Sequence, residues 1–452
     1  MSVNPRTDSD ITTRTHWGWF LAVLLGLFAV APLAYPGFFE ARSGFLPPLN
    51  VEHLAQAPDW GRVGEPVRGE GKLPYLLVWP AFVLSGSGVA AIKWGYGLAF
   101  VLGALGMYAW TRHWLGWRGG VLAATIYTYL PWHLTTVYVR GAYAEAWLWA
   151  FWPCLLWALD RWGEGRALAS CLVGLPVLAA AFWTQPGLTA LSVPVLVAYG
   201  VIVAVRKPWT PARVGGSVAV ALLLLWVAAR FAPEASLVFG DGFLHPFQLL
   251  SAAQGYGVEP SSQGTGLSFQ LGVVAVGLSI VAVALCASGG PGPPEETEVP
   301  APARLDRTDV LWFWLTVLLA LILLILPVSA VLWQFSGFDA LLAAPWQLLA
   351  LTGLPLAFLA GSVVRLDGRL AELPVWAGLV ALVVLASYAF VVPRFTQVDP
   401  GPEPVALFQP VDVEAPQLML LETELEAPTE ITPTLTLTLT WQAVDMVSED
   451  YT

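Results

Sequence analysis

Charged residues are scarce in this chain of 452 residues, since Asp, Glu, Lys and Arg together make up 12% of it. Soluble domains usually carry about 25%. Hydrophobic residues make up 57%, and the mean hydropathy is +0.66. This composition excludes an ordinary soluble protein, and the long apolar runs indicate a chain built for the lipid bilayer.

Basic residues are also few, and they form no stripe that could meet nucleic-acid phosphates. The net charge is -11, but its source is local: from Arg394 to the end, eleven acidic residues face a single base, and the rest of the chain is almost neutral. The acidity therefore belongs to a tail. The distribution predicts no nucleic-acid partner.

Cysteine is rare and the usual signatures of soluble enzymes are missing. Cys154, Cys171 and Cys286 lie in or beside apolar runs without C-x-x-C spacing, which predicts packing rather than a disulfide or metal set. The chain also lacks a phosphate loop, a nucleotide-binding glycine fingerprint, GxSxG, HExxH and zinc-ligand spacing.

Apolar runs long enough to cross a bilayer recur along the chain. The eleven runs cover about residues 17–35, 89–110, 119–138, 144–159, 167–183, 187–205, 215–231, 269–287, 310–327, 346–364 and 375–392. They predict an all-α polytopic membrane protein with about eleven transmembrane helices. The first run is interpreted as an uncleaved span, because it is long and no clean cleavage site follows it.

The basic residues orient this arrangement. With a cytoplasmic N-terminal tail at 1–16, thirteen of the 21 bases fall in predicted cytoplasmic segments. The membrane body, 17–393, then has outer loops near 36–72, 232–268 and 329–345. The segment 73–88 is apolar but short and contains two prolines, which favours an interfacial or re-entrant helix. The cell membrane is the expected location.

The remaining segment, 394–452, is predicted to be an extracytoplasmic acidic tail. Its residues 432–442, TPTLTLTLTWQ, alternate with period two and are β-branched, which is typical of a half-buried strand. A weaker strand is expected at 417–424. Two strands do not form a stable sheet alone, so we expect the start of an incomplete β-sandwich or a truncated reading frame.

Ionisable groups at a membrane surface are the first candidates for chemistry. The first outer loop contains Glu40, Glu52, His53 and Asp59. The three acids are candidate general bases, and His53 with an acid is a candidate site for a divalent metal such as Mg or Mn. Glu52 and His53 are preferred because their segment, LNVEHL, is flanked by apolar residues. The alternative is a solvated loop surface.

A second group of candidates follows the third apolar run. Arg140 and Glu145 bracket the turn before the next run, and they either form a structural ion pair or bind an anionic ligand such as a phosphate. His133 precedes them, and His245 lies in the second outer loop; both are candidate substrate-binding residues. The neighbouring aromatic residues are expected to form an interface belt, with a sugar-binding platform as the alternative; they are Tyr127, Tyr129, Trp132, Tyr138 and Tyr143.

The order of several short segments carries a resemblance. YTYLPWHL…VRGAYAEAW, HPFQLLS…SFQLGV and LPVSAVLWQF…PWQLLALTGLPLAFLAG resemble the multi-span proteins labelled 6-pyruvoyl-tetrahydropterin synthase-related membrane proteins. Those are similar to GT-C glycosyltransferases, which use polyprenyl-phosphate sugars. The resemblance covers roughly 17–393. It implies a GT-C-like fold with an outer cavity, where a first-loop acid deprotonates a sugar acceptor while a lipid phosphate leaves.

The resemblance also implies the partners: membrane lipid, a polyprenyl-phosphate-linked sugar and an acceptor. Relatives usually carry an Asp, often beside a His, soon after the first span, where this chain has Glu40 and then Glu52-His53. They often show Thr-His-Asn where this chain has Thr184-Gln185-Pro186. A transporter and a non-catalytic membrane scaffold are the alternatives to a glycosyltransferase.

Overall fold

The computed structural model describes residues 8–39, 41, 43, 46–56, 71–205, 239–251, 267–288, 307–391, 393, 395–396, 418–426 and 436–443. The chain divides into two compact units, Met1–Val398 and Asp399–Thr452, which are described separately. Glu40, Asp59 and the predicted span at 215–231 lie outside the described residues, as does the side chain of His53.

The first unit is helical, with short 3-10 turns between helices. Its helices are α1 (Asp8–Ala29), α2 (Leu46–Gln56), α3 (Leu73–Leu77), α4 (Trp79–Ser85), α5 (Gly88–Thr128), α6 (Pro131–Thr135), α7 (Tyr143–Gly163), α8 (Ala167–Thr184), α9 (Pro186–Val205), α10 (Val273–Ala287), α11 (Arg307–Ile325), α12 (Ala330–Ser336), α13 (Leu349–Leu366) and α14 (Leu373–Ala386).

Six helical segments in the described part of the chain are long and apolar enough to cross a membrane. They are Gly88–Arg140, Ala167–Thr184, Pro186–Ala204, Thr308–Ile325, Pro345–Leu366 and Leu373–Phe390. His16–Ala29 and Val273–Ala287 are apolar but shorter. These helices confirm an all-α membrane protein. Ten of the eleven predicted runs fall on helices, while the full number of crossings remains a prediction.

The longest of these segments reverses direction at Gly116. This residue has φ 74° and ψ 177°, which interrupts α5. A Cβ at Gly120 would contact the backbone of Arg112, so the two arms of α5 lie side by side near the reversal. Farther along, the Tyr127 hydroxyl donates to the Trp149 carbonyl at 3.1 Å, and Gly103 lies against the same carbonyl. The α5 helix therefore consists of two antiparallel arms that join at Gly116.

The segments that connect the helices lie at two ends of the helical unit, and hydrogen bonds show which segments share an end. At the Arg140 end, the Ser43 amide donates to the Arg140 carbonyl at 3.1 Å, and the Gly71 amide donates to the Thr184 carbonyl at 2.7 Å. The α7 helix has 21 residues and therefore spans about 31 Å from Tyr143 to Gly163. That length matches the hydrocarbon core of a bilayer, about 30 Å.

The Asp160 end lies at the other terminus of α7. There the Arg118 guanidinium donates to the Ala371 carbonyl, and the Trp376 indole donates to the Arg118 carbonyl at 2.9 Å. The Tyr199 hydroxyl donates to the Asp160 carboxylate at 2.6 Å. These contacts join the C-terminal ends of α7 and α9 and the α13–α14 turn into one layer.

The α13 helix lies at the centre of this unit. The apolar stretch that contains it is completely buried, and it packs against α5, α10 and α11. Small residues permit this: Gly361 approaches the backbone of Ala123 on α5 so closely that a Cβ would not fit without movement. By contrast, α8 and α14 are mostly exposed, so their apolar side chains face lipid.

The predicted interfacial segment at 73–88 forms two short helices, α3 and α4, rather than a span. No residue of α4 is buried, and Leu84 is 89% exposed. A short helix with exposed apolar side chains fits the edge of a bilayer better than its core, because unpaired backbone groups at its ends need water or headgroups.

The described residues form two pairs of strands, and the pair in the tail was predicted. Within the first unit, β1 (Phe38–Phe39) pairs antiparallel with β2 (Phe395–Thr396), which places the segments after α1 and after α14 at the same end. In the second unit, β3 (Leu418–Glu426) and β4 (Thr436–Ala443) form an antiparallel hairpin with an irregularity between Leu420 and Glu422. Both tail strands were predicted, and both are confirmed.

Candidate functional site

Arg140 ends a distorted helical turn. Residues Thr136–Arg140 form a π-helical turn, and Gly141 follows with φ 67°, a left-handed conformation that favours glycine. Ser43 holds this turn from the first loop, because its hydroxyl donates to the Gly141 carbonyl at 3.1 Å. Local backbone geometry and a contact from a distant segment together fix where the guanidinium points.

The guanidinium of Arg140 forms a buried ion pair with Glu145. Its Nη1 lies 2.7 Å from Glu145 Oε2, and the two side chains are 13% and 2% exposed. Nη1 also donates to the Thr136 hydroxyl at 3.3 Å. The Nε and Nη2 atoms of Arg140 have no hydrogen-bond partner among the described residues, so donors remain for a further ligand.

Two aromatic rings contact the guanidinium of this pair, and a third packs against both of them. The Arg140 guanidinium lies 5.1 Å from the centroid of Trp132 and 4.6 Å from that of Trp346. Phe269 stacks on Trp132 with centroids 5.6 Å apart and an angle of 20° between the planes. We call Arg140, Glu145, Trp132, Trp346 and Phe269 the Arg140 centre. Each ring comes from a different one of the three sequence segments that carry the family resemblance.

The surroundings contain buried polar atoms with no hydrogen-bond partner in the part of the chain that the structure describes. They include the indole Nε1 of Trp132, the hydroxyl of Thr135 and the hydroxyl of Ser268, which precedes Phe269. An unsatisfied buried donor costs about 1–3 kcal/mol. Trp132 belongs to the Arg140 centre, so its indole donor gains from a polar ligand or a bound water there.

The five aromatic residues expected to form an interface belt are instead interior. Tyr127, Tyr129, Trp132, Tyr138 and Tyr143 are all buried. Their hydroxyls bond inward: Tyr138 donates to the Ala29 carbonyl at 2.8 Å and Tyr129 to the Leu25 carbonyl at 2.9 Å. The belt interpretation was wrong, because these rings are buried among other parts of the helical unit rather than facing headgroups.

Glu52 lies on α2 beside the start of α5. Its Oε1 accepts a hydrogen bond from the Gly88 amide at 3.2 Å, and its Oε2 has no partner among the described residues. Burial raises the pKa of the Glu52 carboxyl above its usual value of 4.5, and the bond from Gly88 opposes the rise. A partly buried carboxyl with a free oxygen and a raised pKa suits a general base.

Contacts connect α2 to the Arg140 centre. The chain from Ser43, which binds the Arg140 turn, enters α2 at Leu46. Within α2, the Asn50 amide donates to the Tyr75 hydroxyl at 3.2 Å, and Tyr75 packs against Tyr143 at the start of α7 with centroids 5.2 Å apart. Glu52 and the ion pair thus belong to the same end of the helical unit.

The other residues predicted in the first outer loop are not among those that the structure describes. Glu40, Asp59 and the His53 side chain lie outside the described residues, so their roles stay predictions. Within the described ranges, no group of three or more His, Cys, Asp or Glu side chains is placed to hold a metal ion. The predicted Mg or Mn site depends on residues outside these ranges, so it stays a prediction.

The two other predicted binding residues lie apart from the ion pair. His133 is buried, with Nδ1 2.6 Å from the Tyr127 carbonyl and its ring stacked 4.0 Å from that of Trp149. Its Nε2 faces Gly353 on α13. His245 is exposed and stacks on Phe247 with centroids 5.8 Å apart. His133 Nε2 is buried and has no hydrogen-bond partner among the described residues, so the binding roles of both histidines stay predictions.

Sequence reasoning missed a buried carboxylate at the Asp160 end. Asp160 Oδ1 accepts from Tyr199 at 2.6 Å and Oδ2 from the Trp114 indole at 3.0 Å, while the Trp110 indole donates to the Tyr199 hydroxyl at 3.0 Å. The available signal was an aspartate at the end of an apolar run, beside Arg161. The network joins α5, α7 and α9.

No protein-family model and no curated protein sequence matches the chain.

Proposed function

We propose that the protein is a membrane glycosyltransferase-like enzyme that takes a sugar from a polyprenyl-phosphate donor at the Arg140 end. The observation that carries the proposal is the Arg140 centre itself. Trp132, Phe269 and Trp346 come from three separate segments of the chain and pack against one another, and the two tryptophan rings contact one guanidinium. The same segments resemble a family similar to GT-C glycosyltransferases.

The guanidinium supplies an anion-binding group at membrane depth. Arg140 is held by Glu145 through Nη1 alone, which leaves Nε and Nη2 as donors for a phosphate oxygen. In the proposed reaction, the lipid phosphate leaves with the electron pair of its bond to the sugar anomeric carbon. Arg140 stabilises that charge, and aromatic walls that exclude water strengthen the interaction.

Glu52 completes the proposed reaction as the general base. It takes the proton of an acceptor hydroxyl while the hydroxyl oxygen forms the new bond to the anomeric carbon. Glu40 and Asp59 remain alternative bases. A positioned base contributes about 10²- to 10⁴-fold in rate, so Glu52→Gln should reduce transfer by that amount while donor binding persists.

The orientation of the chain follows from the distribution of basic side chains, and we propose that the Asp160 end is cytoplasmic. Among the described residues, the Asp160 end holds Arg112, Arg118, Arg161, Arg166, Arg365 and Arg369. Lys72, Lys93 and Arg140 lie at the other end. This bias supports the proposed orientation under the positive-inside rule. In that orientation the Arg140 end, α2 and the acidic tail are proposed to lie outside the cell.

The test is release of radiolabelled hexose from polyprenyl-phosphate hexoses by the purified protein, with and without added divalent metal. Arg140→Gln and Glu52→Gln are compared with Glu164→Gln, a carboxylate at the Asp160 end. We expect Arg140→Gln to raise KM for the donor and Glu52→Gln to lower kcat. Glu164→Gln should resemble the wild type. Equal activity in all three variants would contradict the assignment, and no turnover by the wild type with any hexose would contradict the function.

The pH dependence gives a second test of Glu52. A general base acts when deprotonated, so the rate should rise with pH through a midpoint above 4.5, because burial raises the pKa of this carboxyl. The same shift means that the folded protein binds this proton more tightly than the unfolded chain. The stabilisation from Glu52 is therefore present at low pH and is lost as pH rises through the folded pKa.

A further inference from the structure

A cavity of about 190 Å³ lies beside the Arg140 centre. It is enclosed by three parts of the first unit: the end of α5 with the residues after it, the start of α10 with the residues before it, and the last turns of α14 with the residues after it. Its lining is mostly apolar and includes Ile126, Leu130, Pro131, Val273, Val383 and Phe390.

One side of this cavity reaches the lipid-facing surface. Val273 is 61% exposed, and Ala386 and Ala389 are exposed as well. These two alanines belong to Leu373–Phe390, a helical segment long and apolar enough to cross a membrane. A molecule that enters between α10 and α14 therefore comes from the bilayer.

The opposite wall of the cavity is interior and adjoins the Arg140 centre along the chain. Ile126 and Leu130 are buried, and Pro131 immediately precedes Trp132. Gln270, which also lines the cavity, immediately follows Phe269. The stacked Trp132 and Phe269 rings thus belong to the same two segments that form the inner wall.

We propose that this cavity binds the hydrocarbon chain of a membrane lipid. An apolar cavity of about 150 Å³ can take a benzene molecule, so 190 Å³ holds a segment of at least about six carbons, such as one isoprene unit or part of an acyl chain. This proposal requires only that a lipid chain occupies the cavity, whichever lipid carries it. If the proposed function holds, the chain is that of the donor, and its phosphate lies towards Arg140.

The experiment uses the full-length protein in nanodiscs with two photoactivatable lipids, a polyprenyl phosphate and a phosphatidylglycerol, each with a diazirine in the chain. Mass spectrometry locates the crosslinks. Ala386→Phe fills the mouth of the cavity, and Ala389→Phe is a second filling variant should the first fold poorly. Ala381→Phe is the matched control, because Ala381 is an exposed alanine on the same helix that does not line the cavity.

We expect crosslinks to residues 270–275 and 383–390 that fall about tenfold in the filling variants and persist in the control. Removing two CH2 groups from burial already corresponds to about tenfold in affinity. Crosslinking by the polyprenyl lipid supports both the cavity and the donor. Crosslinking by the phosphatidylglycerol alone supports the cavity and opposes the donor assignment. Absence of crosslinks at these residues with both lipids, or crosslinks that the filling variants leave unchanged, would overturn the inference.

Discussion

The Arg140–Glu145 pair makes a quantitative prediction, because one of its partners is almost fully buried. The two side chains are 13% and 2% exposed, and their charged atoms lie 2.7 Å apart. Removing one partner of a buried pair leaves an uncompensated charge and costs about 3–5 kcal/mol. We expect Glu145→Ala to cost about 3 kcal/mol, the lower end of this range, because Trp132 and Trp346 still contact the guanidinium.

The double-mutant cycle separates this pairing from general packing. Arg140→Met should also cost about 3 kcal/mol, since it strands the Glu145 carboxylate. The double variant leaves no buried charge, so its cost should be well below the sum of the two single costs. We expect a coupling free energy of at least about 2 kcal/mol.

A second ion pair in the chain serves as the control. Arg161, in the last turn of α7, and Glu164, which follows this helix, lie 2.9 Å apart at the Asp160 end, with side chains 16% and 21% exposed. Glu164 also lies 3.4 Å from His113 and 3.8 Å from Arg166. Both are partly solvated, so their coupling should be about 0.5 kcal/mol. The N–O distance and the exposure of the arginine are nearly the same in the two pairs, so the comparison tests the burial of the carboxylate.

The assay is equilibrium unfolding of the detergent-solubilised protein by a denaturing detergent, followed by tryptophan fluorescence and circular dichroism. Free energies of unfolding are compared at the same micelle composition. Single-variant costs that add to the double-variant cost within about 0.5 kcal/mol would refute the buried-pair interpretation. Equal coupling in the two pairs would refute the role given to burial.

Two further predictions concern the frame around the site. Gly141→Ala should cost about 1–3 kcal/mol more than Gly86→Ala: the two glycines have φ 67° and 66°, but an added Cβ at Gly141 overlaps the Ser43 hydroxyl while that at Gly86 has nothing within 4 Å. Equal unfolding costs would contradict this. Asp160→Ala should cost about 2–4 kcal/mol, because it strands the Tyr199 hydroxyl among buried groups. Hexose release should change little relative to folded protein, and a selective loss of release would contradict the separation of the two ends.

Apolar runs were sufficient to predict most of the helices, because the bilayer requires about twenty apolar residues per crossing and allows backbone groups no partner except their own helix. They did not predict α2 and α12, which lie within the predicted outer loops 36–72 and 329–345. The same local rule found α3 and α4 as a segment too short to span. Period-two alternation found β4, since successive side chains of a strand face opposite sides. Each of these patterns lies within one continuous stretch of the chain, so the sequence alone is enough to reveal it.

The aromatic residues show where local reasoning failed. A run of tyrosines and tryptophans near a helix end is typical of an interface belt, yet Tyr127, Tyr138 and Tyr143 are buried. Whether a ring faces lipid or a neighbouring helix depends on which helices pack together. That depends on close approaches such as Gly361 to Ala123, which composition does not reveal.

The sequence by itself determined the membrane class, the positions of most helices, the acidic tail with its two strands, and Arg140, Glu145 and Glu52 as candidates. Only the tertiary structure brought Trp132, Phe269 and Trp346 together beside Arg140, since these three aromatic residues lie more than seventy positions apart along the chain. It also joined Asp160 to Tyr199 and opened a cavity between α10 and α14. Long-range packing decides such contacts, because their free energy comes from burial between helices rather than from any pattern within one helix.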